Sequence, residues 1–196
     1  MIIGILALQG AFIEHKHILD KIKIENILIK KIDDVKICDG IIIPGGESTA
    51  MGIIEENVFQ EISNHIKKGK AVWGTCAGLI LLANTIIGQK KDGQKNIGGL
   101  DVCVQRNYFG SQKQSFIINV DYPTEFCKAG KFETIFIRAP VILSVGKNVD
   151  TLLKLDDNII AVKQNNILGT SFHPELTNNY SWHEYFIELV KSSKNV

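Results

Sequence analysis

Ala71-Val72-Trp73-Gly74-Thr75-Cys76-Ala77-Gly78-Leu79-Ile80-Leu81-Leu82 joins a short apolar run to a second apolar run with helical spacing, and a glycine-flanked cysteine stands at the junction. This spells strand, sharp turn and helix, the helix running through Leu79, Leu82 and Ala83. Glycine tolerates the strained angles and close chain approach that such a turn demands. The alternation extends toward the N-terminus. Ile2 to Leu8 is a near-continuous apolar run closed by Gln9-Gly10, the pattern of a strand buried on both faces of a parallel sheet. Ile18, Leu19 and Ile22 predict a helix over 12–22, Ile27 to Ile29 a second strand, and Gly40-Ile41-Ile42-Ile43 a third, stopped by Pro44-Gly45-Gly46. Phe59, Ile62 and Ile66, at i, i+3 and i+7, predict the helix before Ala71.

From Gly98 the texture changes. Leu100 to Val104, Ser115 to Val120, Thr134 to Ile137, Thr151 to Leu155, Ile159 to Val162 and Ile167 to Phe172 are short strand candidates separated by turns, the pattern of hairpins. Trp182, Tyr185, Phe186, Leu189 and Val190 then share the face of a closing helix. The whole predicts an α/β fold: one open three-layer domain over 1–196, with a largely parallel central sheet and antiparallel additions. Sites in such sheets lie at the carboxyl ends of strands, where Pro44-Gly45-Gly46 and Cys76 both fall.

Composition narrows the class. A chain of 196 residues, 45% hydrophobic and 22% charged, has the makings of an ordinary globular domain. Lys+Arg number 22 against 21 Asp+Glu, and the basic residues are scattered, which argues against a nucleic-acid partner. No apolar stretch is long enough to span a membrane and no leader pattern opens the chain, so the cytoplasm is the expected location. Cys38, Cys76, Cys103 and Cys127 show no CxxC spacing and read as free thiols. His15 and His17, at i and i+2, do not share a helix face well. We expect them at a partner contact or on the solvated surface, and predict no metal.

The chemistry centres on Cys76. Free cysteine is often mere core packing, but glycine on both sides of a strand-to-helix junction favours a nucleophile. The thiolate is the reactive form of cysteine, and the positive end of a helix dipole favours it. Far downstream, Ser171-Phe172-His173-Pro174-Glu175 offers a base and a carboxylate two residues apart, which in an extended segment leave the same face. His173 then takes the thiol proton and later protonates the leaving amine, while Glu175 orients the ring and steadies its charge. Candidate oxyanion donors are the backbone N–H of Ala77 and one from the Gly45-Gly46 loop. Glu47-Ser48-Thr49 reads as a helix cap, a polar substrate strip, or both.

The elbow Gly74-Thr75-Cys76-Ala77-Gly78 and the segment around His173 resemble the class I, triad-type glutamine amidotransferases. Leu8-Gln9-Gly10, Glu14-His15-Lys16-His17, Pro44-Gly45-Gly46-Glu47-Ser48-Thr49, Arg106-Asn107-Tyr108-Phe109-Gly110 and Phe136-Ile137-Arg138-Ala139-Pro140 narrow the likeness. Together they resemble the glutaminase subunits of two-component pyridoxal 5′-phosphate synthases, from Ile3 to about Val190. The resemblance implies a flavodoxin-like fold and hydrolysis of L-glutamine to glutamate and ammonia through a thioester on Cys76. It also implies delivery of ammonia to a (β/α)8-barrel synthase subunit in a large heteromeric complex that makes the vitamin B6 cofactor, and no cofactor on this chain. By motif, glutamine recognition falls to Gly46, Glu47, Ser48, Arg106, Ile137 and Arg138, and the oxyanion hole to Gly46 and Ala77. Guanidinium groups suit an α-carboxylate, and Glu47 an α-ammonium.

Ser111, where a basic residue is more usual, and Ala50, where a second threonine is, depart from the family pattern without touching the triad. The segment 88–96 reads as a polar loop. Alternatives are a glutaminase serving another ammonia-using synthase, a ThiJ/PfpI-type cysteine-elbow protein, and a non-catalytic interaction subunit. The Arg106 and Arg138 motifs argue against the first, and the pairing of His173 with Glu175 against the second.

Overall fold

The apolar runs become strands where they are short and β-branched, and helices where their spacing closes one face. A computed structural model describes residues 1–8, 10–46, 56–88, 96–110, 115–126 and 129–194. In chain order it contains β1 (Ile3–Leu6), α1 (Phe12–Lys21), β2 (Asn26–Ile29), α2 (Ile32–Lys36), β3 (Gly40–Ile43), α3 (Glu56–Lys67), β4 (Ala71–Thr75) and α4 (Ala77–Leu82). There follow β5 (Ala83–Ile87), β6 (Leu100–Gln105), β7 (Phe116–Asp121), β8 (Lys131–Phe136), β9 (Val141–Val145), β10 (Asp150–Leu155), β11 (Asn158–Gln164), β12 (Ile167–Thr170) and α5 (Ser181–Ser193).

Among the described residues, ten strands form one sheet in the order β2-β1-β3-β4-β12-β11-β9-β6-β5, with β10 added on β11. The half from β2 to β12 is wholly parallel and flavodoxin-like in order. β11 reverses direction against β12, and β9 against both β11 and β6. β7 and β8 form a separate antiparallel hairpin. Val35, Val58, Ile62 and Leu79 bring α2, α3 and α4 onto one face of the sheet. Leu19, Phe186 and Val190 bring α1 and α5 onto the other, where Val120, Phe132 and Phe136 of the hairpin join them. This is the expected three-layer α/β architecture.

Details differ from the sequence reading. Ala83 does not close the helix after Cys76: the chain turns extended there, at φ −64°, ψ 139°, and starts β5 alongside β6. β9 and the five-residue α2 go unannounced in the sequence. The segment after β12 is not extended either. Pro174 opens a single 3₁₀ turn over Pro174–Leu176, whose first position suits the fixed φ of proline. The polar loop read over 88–96 and the departures Ala50 and Ser111 fall largely or wholly outside the described residues.

Candidate active site

Cys76 stands at the carboxyl end of β4 with φ 47° and ψ −101°, a conformation that costs a non-glycine residue roughly 1–3 kcal/mol. Its surroundings over-determine it. The Cys76 N–H donates to the Thr170 carbonyl at 2.8 Å, fastening the turn to β12. A Cβ on Gly78 would lie 1.9 Å from the Ile43 carbonyl oxygen, and one on Gly74 2.5 Å from the Gly78 backbone. The flanking glycines are therefore demanded by the packing of the turn on β3 and on itself.

β12 lies beside β4, with Thr170 opposite Thr75, so the residues just past its end arrive next to the cysteine. The His173 N–H donates to the Ile135 carbonyl at 2.8 Å. Its Nδ1 lies 2.7 Å from Glu175 Oε1, both side chains being buried. The 3₁₀ turn, rather than an extended segment, brings the two together. Burial disfavours the imidazolium, but hydrogen bonds with Cys76 and Glu175 and the attraction of both outweigh it, raising the His173 pKa to about 10. Cys76 Sγ also lies 3.9 Å from the Ile137 carbonyl oxygen.

The Pro44-Gly45-Gly46 loop closes over this pair. A Cβ on Gly45 would sit 2.3 Å from His173 Cε1 and 3.1 Å from Cys76 Cβ. The Gly45 N–H donates to Thr75 Oγ1 at 3.0 Å, and its carbonyl accepts from Ala11 N–H at 3.1 Å. Gly46, Ala77, Arg106, Ile137 and Arg138 meet Cys76 and His173 around one cleft of about 260 Å³. Arg138 holds φ 46°, another left-handed non-glycine residue at the cleft. Glu175 lies behind His173, out of the cleft wall. Glu47 and Ser48 lie outside the described residues. No group of three or more side chains suited to a metal stands among the described residues.

One correction concerns His15. It is neither solvated nor at the surface but fully buried, whereas His17 is exposed. His15 Nε2 lies 3.4 Å from Glu175 Oε2, and its Nδ1 lies 2.9 Å from Nε2 of buried His183. The signal was present: His15, Ile18, Leu19 and Ile22 stand at i, i+3, i+4 and i+7, which puts the histidine on the apolar stripe of α1.

Residues 5–192 match the SNO glutamine amidotransferase family. The chain belongs to that family. The pyridoxal 5'-phosphate synthase subunit PdxT of Streptococcus pneumoniae is 44% identical over 201 residues, covering 99% of this chain and 100% of the relative. The subunit of the same name from Haemophilus influenzae is 45% identical over 198 residues, covering 97% and 99%. A solved glutamine amidotransferase, 39% identical, superposes with a TM-score of 0.88 over 96% of this chain and 98% of that one. PurLQS from Thermotoga maritima shares the fold at 18% identity, with a TM-score of 0.62. The family match spans nearly the whole chain.

Proposed function

We propose that this protein is the glutaminase subunit of a pyridoxal 5'-phosphate synthase, hydrolysing L-glutamine to glutamate and ammonia. The observation that carries the reading is the 2.7 Å contact of His173 with Glu175 beside a strained, glycine-flanked Cys76 at the floor of a small cleft. In the mechanism, the Cys76 thiolate attacks the side-chain amide carbon, and the N–H groups of Ala77 and Gly46 meet the oxyanion. As the C–N bond breaks, His173 gives its proton to the departing ammonia. Water, deprotonated by His173, then cleaves the thioester and frees Cys76. A ring that favours its charged form between Glu175 and Cys76 is well suited to donate in the first half. Glu175 orients it throughout.

Arg106 and Arg138 are assigned the substrate's α-carboxylate, Glu47 its α-ammonium, and Ser48 and Ile137 the remaining glutamine contacts. All 196 residues act as one glutaminase domain. The ammonia passes to a (β/α)8-barrel synthase subunit in a large heteromeric complex, in the cytoplasm. The free thiols of Cys38, Cys76 and Cys103 are compatible with a reducing compartment, and Cys127 lies outside the described residues. Partner contact falls around 9–17. This region touches the oxyanion loop through Ala11 N–H on the Gly45 carbonyl, which supports activation by docking.

The test is ammonia release from L-glutamine by wild type and Cys76→Ala, each with and without the synthase subunit. Partner-stimulated release that vanishes in the variant is expected. Equal release with and without partner would contradict the activation, and none from wild type under any condition would sink the reading.

A further inference from the structure

Behind the proposed triad lies a second layer of polar groups to which the glutaminase mechanism assigns no task. His15 of α1 and His183 of α5 are both fully buried. The His15 ring meets Trp73 edge-on at 5.5 Å and His183 at 5.0 Å. Its Nδ1 lies 2.9 Å from His183 Nε2, and its Nε2 lies 3.4 Å from both Glu175 Oε2 and Thr75 Oγ1. Among the described residues, neither Glu175 Oε2 nor His183 Nδ1 has a hydrogen-bond partner, so His15 Nε2 meets Glu175 Oε2 as an electrostatic contact at 3.4 Å.

The titratable groups facing His15 are His183, Glu175 and His173. Burial, reinforced by His183 and His173, holds the His15 pKa well below its ordinary value, and burial lowers that of His183 to about 3. Both rings are therefore neutral, with one N–H each, and only two arrangements join them. In one, His15 Nδ1–H donates to His183. The Thr75 hydroxyl can then donate to His15 Nε2, but that lone pair also faces the Glu175 carboxylate, and the His183 Nδ1–H is buried without an acceptor among the described residues. In the other, His183 Nε2–H donates to His15 Nδ1. His15 Nε2–H then donates to Thr75 Oγ1 with its positive edge toward Glu175 Oε2, and the unpartnered His183 Nδ1 is a lone pair, while the Thr75 hydroxyl proton is left without an acceptor among the described residues. Each arrangement leaves one buried donor unpaired, and only the second keeps a His15 lone pair from facing the Glu175 carboxylate.

We propose that His15, fixed as the Nε2–H tautomer by His183, is a positioning residue that holds Glu175 from behind and links it through Thr75 to the Gly45 loop. A neutral donor suits this task. It restrains the second carboxylate oxygen without cancelling the charge that His173 needs, as a lysine or arginine there would. Thr75 Oγ1, which accepts the Gly45 N–H at 3.0 Å, sits within reach of the same His15 nitrogen. The carboxylate of the triad and the loop proposed to carry an oxyanion donor thus share one buried anchor.

The inference rests on the glutaminase reading, and its test separates the two. In the full chain labelled with ¹⁵N-histidine, long-range ¹H–¹⁵N correlation is expected to show His15 as the neutral Nε2–H tautomer, unchanged from pH 6 to 9. An Nδ1–H tautomer, or titration of His15 within that range, overturns the proposal. In the complex with the synthase subunit, His15→Phe is expected to lower kcat for ammonia release by about tenfold to a hundredfold, as when outer partners of a functional histidine are lost. KM should stay within about twofold, and His15→Gln, which retains an N–H donor, should recover part of the rate. Wild-type kcat in His15→Phe, or equal losses in both variants, also overturns it. No ammonia from the wild-type complex would remove the glutaminase reading alone, since the tautomer is read without turnover.

Discussion

Gly45 has no room for a side chain. A methyl group there would stand 2.3 Å from His173 Cε1, so the ring or the loop must move, and either shift disturbs the line from Glu175 through His173 to Cys76. Displacements near 1 Å cost about 10²-fold in rate when reacting groups must align. Gly45→Ala is therefore expected to lose about 10²-fold in kcat for glutamine hydrolysis while its far-ultraviolet circular dichroism stays that of wild type; unaltered kcat would refute the close fit. Residues of this kind divide by how local their signal is. Cys76 was legible because its glycines are its neighbours, and His173 and Glu175 because their chemistry lies within three residues. The contacts of His15 were not, since Glu175 lies 160 positions away and only the layering of α1 on the sheet brings them together.

The β7–β8 hairpin carries the far wall of the cleft. Phe136 is fully buried, stacks on Phe116 at 4.7 Å and packs against Phe172 at 5.9 Å. The chain then leaves β8 as Ile137 and Arg138 in the cleft, and the Ile135 carbonyl holds the His173 N–H. Phe136→Ala should cost about 3–5 kcal/mol in urea unfolding, as for other large-to-small core changes. It should also raise KM for glutamine along with lowering kcat, because Arg138 and His173 lose a common support. A stability loss with unchanged kinetics would show that the hairpin does not position the site. At this scale the parallel half was legible because strands buried on both faces are continuous apolar runs. β9 was not, since Val141–Val145 follows Pro140 and is partly exposed, and only pairing with the distant β6 and β11 makes it a strand. α2 has one buried anchor, Val35, too little to show a period.

The buried histidines make the stability of the whole molecule depend on pH from both sides. Burial, aided by Lys70, lowers the His65 pKa to about 4, burial lowers that of His183 to about 3, and His15 lies well below 6.5 for the same leading cause. Below pH 6.5 the unfolded chain takes up protons at these positions and the folded one does not, so stability falls on acidification. The slope is about 1.4 kcal/mol per pH unit for each such histidine until its folded pKa is reached. His173 acts in the opposite sense. Its folded pKa of about 10 means that the folded state keeps a proton the unfolded chain releases above pH 6.5, so its contribution is complete below 6.5 and is lost between 6.5 and about 10. Urea midpoints are therefore expected to peak near pH 6.5 and fall on both sides. His65 separates the limbs, because it sits on α3, outside the proposed active site. His65→Gln should flatten the acid limb by about one proton and leave the alkaline limb as in wild type, whereas His173→Gln should flatten the alkaline limb alone. An acid limb equally steep in wild type and His65→Gln would mean that this histidine charges freely inside the fold, which its buried Nε2, without a partner among the described residues, argues against.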